Sequence, residues 1–192
     1  MNEQTKIAVG LRPEEARFNI GQLYALHEQD LLNEWKRIEL IKGEIRIMSP
    51  QHMPHMRAKR DAFIALLPSV REAGYELGLE ASVELGEFDL PMPDIFVYEE
   101  IDAPRGLPGK FLKLVIEVAE STARNDLGEK LELYASFGVP EYWVVIPRKL
   151  RIERFAEPRK GTYLRHDSFG YGDSVFSVTL PSIVLPGGSL IG

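Results

Sequence analysis

The chain has 192 residues, 44% hydrophobic and 27% charged, the balance of a soluble globular protein long enough to bury a sizeable core. It has no cysteine, which excludes disulfides, zinc–thiolate sites and thiol nucleophiles and leaves the cytoplasm as the default compartment. The net charge of −6 argues against nucleic acid as a partner, but the distribution matters more: Glu72 to Pro104 holds ten acids and no Lys or Arg, whereas Arg148 to Arg165 holds seven basic residues against two acids. An acidic middle suits a cation and a basic late segment suits phosphate; solvated surface is the plain alternative for both.

The N-terminus, MNEQTKIAVGLRPEE, has no basic-then-apolar leader pattern, and residues 1–17 read as irregular ahead of one domain spanning residues 1–192. No apolar run approaches the roughly 20 residues of a membrane helix, so no membrane association is expected. Asn19 to Asp30 reads as a short helix capped by Asn19. RIELIKGEIRIMSP reads as a hairpin, Arg37 to Ile41 and Glu44 to Met48 around Lys42-Gly43. Pro54 and His55 open a helix whose apolar stripe is Met56, Phe63, Leu67 and Val70, and Gly74 ends it. Tyr75 to Leu85 reads as one strand and Pro93 to Tyr98 as another, with a loop from Ala103 to Gly109. Phe111 to Val118 is the most apolar strand and the expected centre of the sheet. A helix from Asp126 to Phe137 ends at Gly138. A strand from Glu141 to Ile146 stops at Pro147. Arg151 to Phe155 and Gly161 to His166 read as a closing hairpin, and the chain from Pro181 on reads as irregular. This order gives an α/β (α+β) domain with a mixed sheet flanked by helices.

Two acids interrupt strands that otherwise want burial. PMPDIFVY places Asp94 at a strand start, and KLVIEV places Glu117 near the end of the central strand, on one face with Lys113 and Val115. A buried carboxylate is costly unless paired or bound to metal, although an edge position or ordinary ion pair serves as well. In the helix DLGEKLELYASFG, steps of 100° put Leu127, Leu131, Leu133, Tyr134 and Phe137 on one arc, with Glu129, Glu132 and Ser136 opposite. Lys130 falls inside the apolar arc and Asp126 at its margin. Lys130 therefore needs an acidic partner, for which Glu117 is within reach, or else it snorkels to water. Two carboxylates and a lysine suit phosphodiester hydrolysis. The acids hold a hard cation such as Mg2+ or Mn2+, the Val118 carbonyl is a further ligand candidate, and the lysine orients water or offsets developing charge. From these residues alone the reading stops at a metal-carboxylate hydrolase.

IELIKGEIRIMSP followed by His55, PMPDIFVY, and above all LKLVIEVAESTARNDLGEKLELYASFGVPEYWVV resemble the Uma-two family of endonucleases within the PD-(D/E)XK nuclease superfamily. The resemblance runs from about Phe18 to Tyr163 and implies a restriction-endonuclease-like fold. It matches Asp94 to the Asp of the PD motif and Glu117 to the acid of the (D/E)XK half-motif. The superfamily's usual lysine position holds Ala119, and the family's relocated lysine matches Lys130. Glu39, Glu44 and His55 match recurring positions: one glutamate as an extra metal ligand, His55 as a phosphate contact or a helix-start residue without chemistry. The family often has an Asp where Ile146 stands, so no role is assigned to a strand-end acid.

The resemblance implies a Mg2+- or Mn2+-dependent DNA endonuclease, with pairing as a homodimer to cut both strands. A non-catalytic fold relative that binds nucleic acid or a protein is the alternative, and a metal hydrolase acting on another substrate is a third. Strand alternation puts Lys149 and Arg151 on one face and Arg148 and Arg154 on the other, and Lys149 with Arg151 is the pair assigned to DNA phosphate. The rival route for DNA runs over the helix bearing Arg57, Lys59 and Arg60.

Overall fold

In the seven residues LKLVIEV, Leu112, Leu114, Ile116 and Val118 make one face wholly apolar and Val115 separates the two charges of the other, the pattern of a strand buried along most of its length. In the computed structural model, which describes residues 17–32, 34, 37–48, 50–119 and 127–191, this run is strand β7 (Leu112–Val118), preceded by α1 (Ile20–Glu28), β1 (Ile38–Ile41), β2 (Glu44–Ile47), α2 (Met53–Glu72), β3 (Glu76–Leu79), β4 (Val83–Glu84), β5 (Ile95–Tyr98) and β6 (Leu107–Pro108). After it come α3 (Glu129–Ser136), β8 (Glu141–Ile146), β9 (Arg151–Arg159), β10 (Thr162–Gly170), β11 (Ser174–Phe176) and β12 (Val184–Pro186). The main sheet has the order β10-β9-β8-β7-β5-β3. Only β7 and β8 run parallel in it, the remaining pairs being antiparallel.

Residue parity divides the core into two layers. Val115, Tyr142 and Val144 face α3, packing with Leu133 and Tyr134. Leu114, Ile116, Trp143 and Val145 face α2, packing with Ala58, Ala62, Leu66 and Val70. Trp143, Tyr134 and Tyr142 are wholly buried; each apolar side chain so removed from water contributes about 1.5–3 kcal/mol. Glu141, 0% exposed, is held by the Trp143 indole, the Ser177 hydroxyl and the amides of Val178 and Thr179. That buried carboxylate fastens the chain after β11 to the start of β8.

Strand direction gathers four chain segments at one end of the sheet. β7 and β8 finish there, and β5 and β9, antiparallel to them, begin there. The hairpin of β1 and β2 turns at Lys42 and Gly43, both with positive φ (53° and 80°), the conformation a tight two-residue hairpin turn requires. At α1, Asn19 accepts from the Gln22 amide at 2.8 Å, and Gln22 Oε1 accepts from the Asn19 amide at 2.9 Å, a reciprocal cap.

Four sequence expectations need correction. The run from Tyr75 to Leu85 is not one strand: Glu80 takes a left-handed φ of 48° and ends β3, and β4 pairs instead with β6. The buried line of α2 is Ala58, Ala62, Leu66 and Val70, while Met56 is exposed; small alanines let the helix sit close on the sheet, which a search for large apolar residues passes over. Phe137 is 43% exposed rather than buried. The chain after Pro181 is ordered, with β12 pairing antiparallel to β11 and Ile183 and Leu185 buried against α2. The expected helix start at Asp126 lies outside the described residues.

Candidate active site

Asp94 immediately precedes β5, and Glu117 is the penultimate residue of β7. The register Ile95↔Ile116 places the two acids opposite one another. Their bonds cross: the Asp94 amide donates to Glu117 Oε2 at 3.3 Å, and the Val118 amide donates to Asp94 Oδ2 at 2.9 Å. Each carboxylate is thus anchored by the other strand's backbone. They are 5% and 3% exposed, so charge compensation must come from nearby side chains.

One group of compensating side chains comes from α3 and the β1–β2 hairpin. Lys130, in the first turn of α3, places Nζ 3.0 Å from Glu117 Oε1 and 3.0 Å from Glu39 Oε1. Glu39, on β1, is buried and also accepts from the Met92 amide at 2.9 Å. One turn beyond Lys130, the buried Tyr134 hydroxyl reaches Glu117 Oε1 at 3.4 Å. Burial raises its pKa well above the ordinary value, and Glu117 and Glu39 add to the effect, so it stays a proton donor. Arg46 stands across the hairpin from Glu39 and grips both carboxylate oxygens of Glu129, the residue before Lys130. The hairpin and α3 are therefore tied together beside the Glu39–Lys130 contact.

The second group comes from α2 and the turn after β3. His55 Nε2 lies 3.2 Å from Asp94 Oδ1. Lys59, only 4% exposed, sets Nζ 2.6 Å from Gln51 Oε1, 2.6 Å from Glu80 Oε1 and 3.6 Å from Asp94 Oδ1. Gln51 Nε2 donates to Glu80 at 2.7 Å and reaches Asp94 Oδ1 at 3.3 Å, and Arg37 pairs with Glu80 at 2.7 Å. Burial pushes the Asp94 carboxyl up, but the hydrogen bond and charge of His55, the Val118 amide and the Lys59 ammonium outweigh it, and its net shift is downward. Asp94 is held ionised.

The structure brings Asp94, Glu117, Lys130, Glu39 and His55 together. Glu44 stands apart, 73% exposed at its side chain and paired with Arg46. His55 engages Asp94. Sequence reasoning does not select Gln51 or Glu80, and it places Lys59 among the surface cations. The signal for Lys59 is nonetheless present, because on the helical wheel it falls beside Val70 at the edge of the predicted stripe, a charge on a buried face like Lys130. Lys149 and Arg151 do not alternate along a strand as expected: Pro147–Lys149 is a 3-10 helix and Leu150 has a φ of 50°. Both remain exposed at the end of the sheet that carries the acids, with Arg151 opening β9. Arg154 is buried against Asp167, at 2.7 Å, and the Phe176 carbonyl, so it does not face outward. On the rival face Arg57 and Arg60 are exposed and Lys59 is not.

The donors suit a hard divalent cation. Among the described residues no three His, Asp or Glu side chains gather into a cage. Two carboxylates with a neighbouring main-chain carbonyl match Mg2+ or Mn2+, which keep water and substrate oxygens as their other ligands. Among the described residues no helix is long and apolar enough to cross a membrane.

The family model of Uma2, described as "Putative restriction endonuclease", matches residues 22–186. Among solved structures the chain resembles "a putative nuclease belonging to DUF820 from Anabaena variabilis ATCC 29413", with a TM-score of 0.64 and 17% identity over 84% of this chain and 95% of that one. That likeness shows the fold. No curated protein matches the sequence.

Proposed function

The chain belongs to the Uma2 family, and from that membership we propose that it is a Mg2+- or Mn2+-dependent endonuclease that hydrolyses phosphodiester bonds in DNA. The observation that carries the proposal is the crossed pair of buried carboxylates, Asp94 and Glu117, with Lys130 Nζ 3.0 Å from Glu117. Asp94, Glu117 and the Val118 carbonyl would hold the cation, which when bound supplies positive charge against a phosphoryl oxygen and acidifies water.

The remaining work falls to the chain's own residues. Lys130 is a fixed donor beside the two acids, placed to orient the attacking water or to offset charge developing on the phosphoryl group. Glu39 holds that ammonium from the hairpin side, and Tyr134 holds Glu117 from below. His55 and the Val118 amide fix the two oxygens of Asp94. Lys149 and Arg151 would take flanking phosphates: two strands and two residues from Glu117, Arg151 stands roughly 12 Å away by ordinary strand spacing. Two copies of the site, brought together in a homodimer, would cut both strands.

The test is cleavage of plasmid and single-stranded DNA with Mg2+, Mn2+ or EDTA. Cleavage that requires the cation supports the proposal. Binding without cleavage under every metal condition would make the chain a non-catalytic member of its fold.

A further inference from the structure

Lys59 is an unusual occupant of its position. Its ammonium is buried between three oxygens supplied by three separate segments: Gln51 Oε1 at 2.6 Å, Glu80 Oε1 at 2.6 Å and Asp94 Oδ1 at 3.6 Å. An ammonium has three donors and no acceptor; here it donates to Gln51 and forms ion pairs with Glu80 and Asp94. The surroundings are built to hold it. Glu80 is set by its left-handed turn, its own amide donating to the Asp94 carbonyl at 3.3 Å, and it is gripped as well by Arg37 and Gln51.

Asp94 therefore faces two ways. Its Oδ2 points to β7, where the Val118 amide and Glu117 lie, and its Oδ1 points to α2, where Lys59 and His55 lie. Nucleases that use two cations set them about 3.5–4 Å apart, clamping the attacking and leaving oxygens. On the α2 side of Asp94, where a second ion sharing that carboxylate would stand, the chain supplies a positive charge of its own.

We propose that the Lys59 ammonium is the site's fixed second cation, standing in an oxygen nest beside Asp94 so that the protein takes up one divalent ion and not two. This rests on the reading of Asp94 and Glu117 as a metal site. A divalent ion entering the nest would meet the repulsion of Lys59 and would find Gln51 and Glu80 already engaged. Removing the ammonium lifts that repulsion and withdraws one partner from each of Gln51 Oε1, Glu80 Oε1 and Asp94 Oδ1, the last two still being held by Arg37, Gln51 and His55.

The test counts calcium ions bound per chain by titration calorimetry, with circular dichroism reporting the fold. The wild type binds one, Lys59→Arg binds one and Lys59→Ala binds two, with Lys59→Ser replacing the alanine variant if that variant unfolds. Two ions in the wild type overturn the proposal, and so does a single ion in the folded alanine or serine variant. A wild type that binds no calcium contradicts the Asp94–Glu117 metal site itself, a failure distinct from that of Lys59.

Discussion

Lys130 Nζ lies 3.0 Å from Glu117 Oε1, thirteen residues back along the chain and on a different element. Glu117 faces α3 because it shares strand parity with Val115, and Lys130 faces the sheet because it shares the helix arc of Tyr134. The contact is thus a product of two periodicities meeting. Replacing Lys130 with Met keeps most of the stem and removes the charge. Cleavage should fall roughly 100- to 1,000-fold, the loss typical of one donor aimed at developing charge, with the circular dichroism spectrum unchanged. Wild-type cleavage rates in Lys130→Met would remove Lys130 from the reaction.

A second prediction concerns the DNA path. Lys149→Glu with Arg151→Glu should weaken DNA binding and lower the slope of log affinity against log salt, because a phosphate that is no longer neutralised by the protein keeps its counterions. The weakening should be nearly the same for unrelated DNA sequences, since phosphate contacts carry no base information. Filter binding at several salt concentrations measures both. If the slope is unchanged while Arg57→Glu with Arg60→Glu reduces it, the DNA crosses α2 instead.

A third prediction concerns acid stability. The hydrogen bond from Arg154 holds the Asp167 carboxyl below its ordinary value against the opposing effect of burial, with Arg165 assisting. A carboxyl depressed in the folded state adds stability above its unfolded pKa, near 4, and loses it as pH falls through the folded value. Wild type should therefore exceed Asp167→Asn in stability at pH 7, and the gap should narrow as pH falls below about 4. Arg154 lacks part of its acceptor in that variant at every pH, so the narrowing is the readout, followed by urea denaturation. A constant gap would show that Asp167 titrates alike in both states.

The parts of the fold that could be read in the sequence are those with one dominant local signal. The Asn19 cap, the Lys42-Gly43 turn, the strongly apolar β7 and the Gly138 helix end each follow from a few adjacent residues. The split of Tyr75 to Leu85 could not be read, because it depends on Glu80 leaving the strand to meet Lys59 and Arg37. The pairing of β11 with β12 is long-range and leaves no periodic trace. In the site, Asp94, Glu117 and Lys130 stood out as charges on apolar faces. Glu80 did not, because an acid in a loosely alternating strand looks like solvated surface, and Glu39 could not be told from Glu44, because both lie on one face of the hairpin and the burial of Glu39 depends on Met92 and Lys130, far along the chain.

The most direct test of the account is the melting temperature with and without calcium. A ligand that binds only the folded chain stabilises it by about 2.7 kcal/mol at a hundredfold excess over its Kd, which for a chain of this size raises the melting temperature by about 5–10 °C. Wild type should show that rise, and the double variant Asp94→Asn, Glu117→Gln should show none. An equal rise in the double variant would place the cation elsewhere and contradict the assignment of the site.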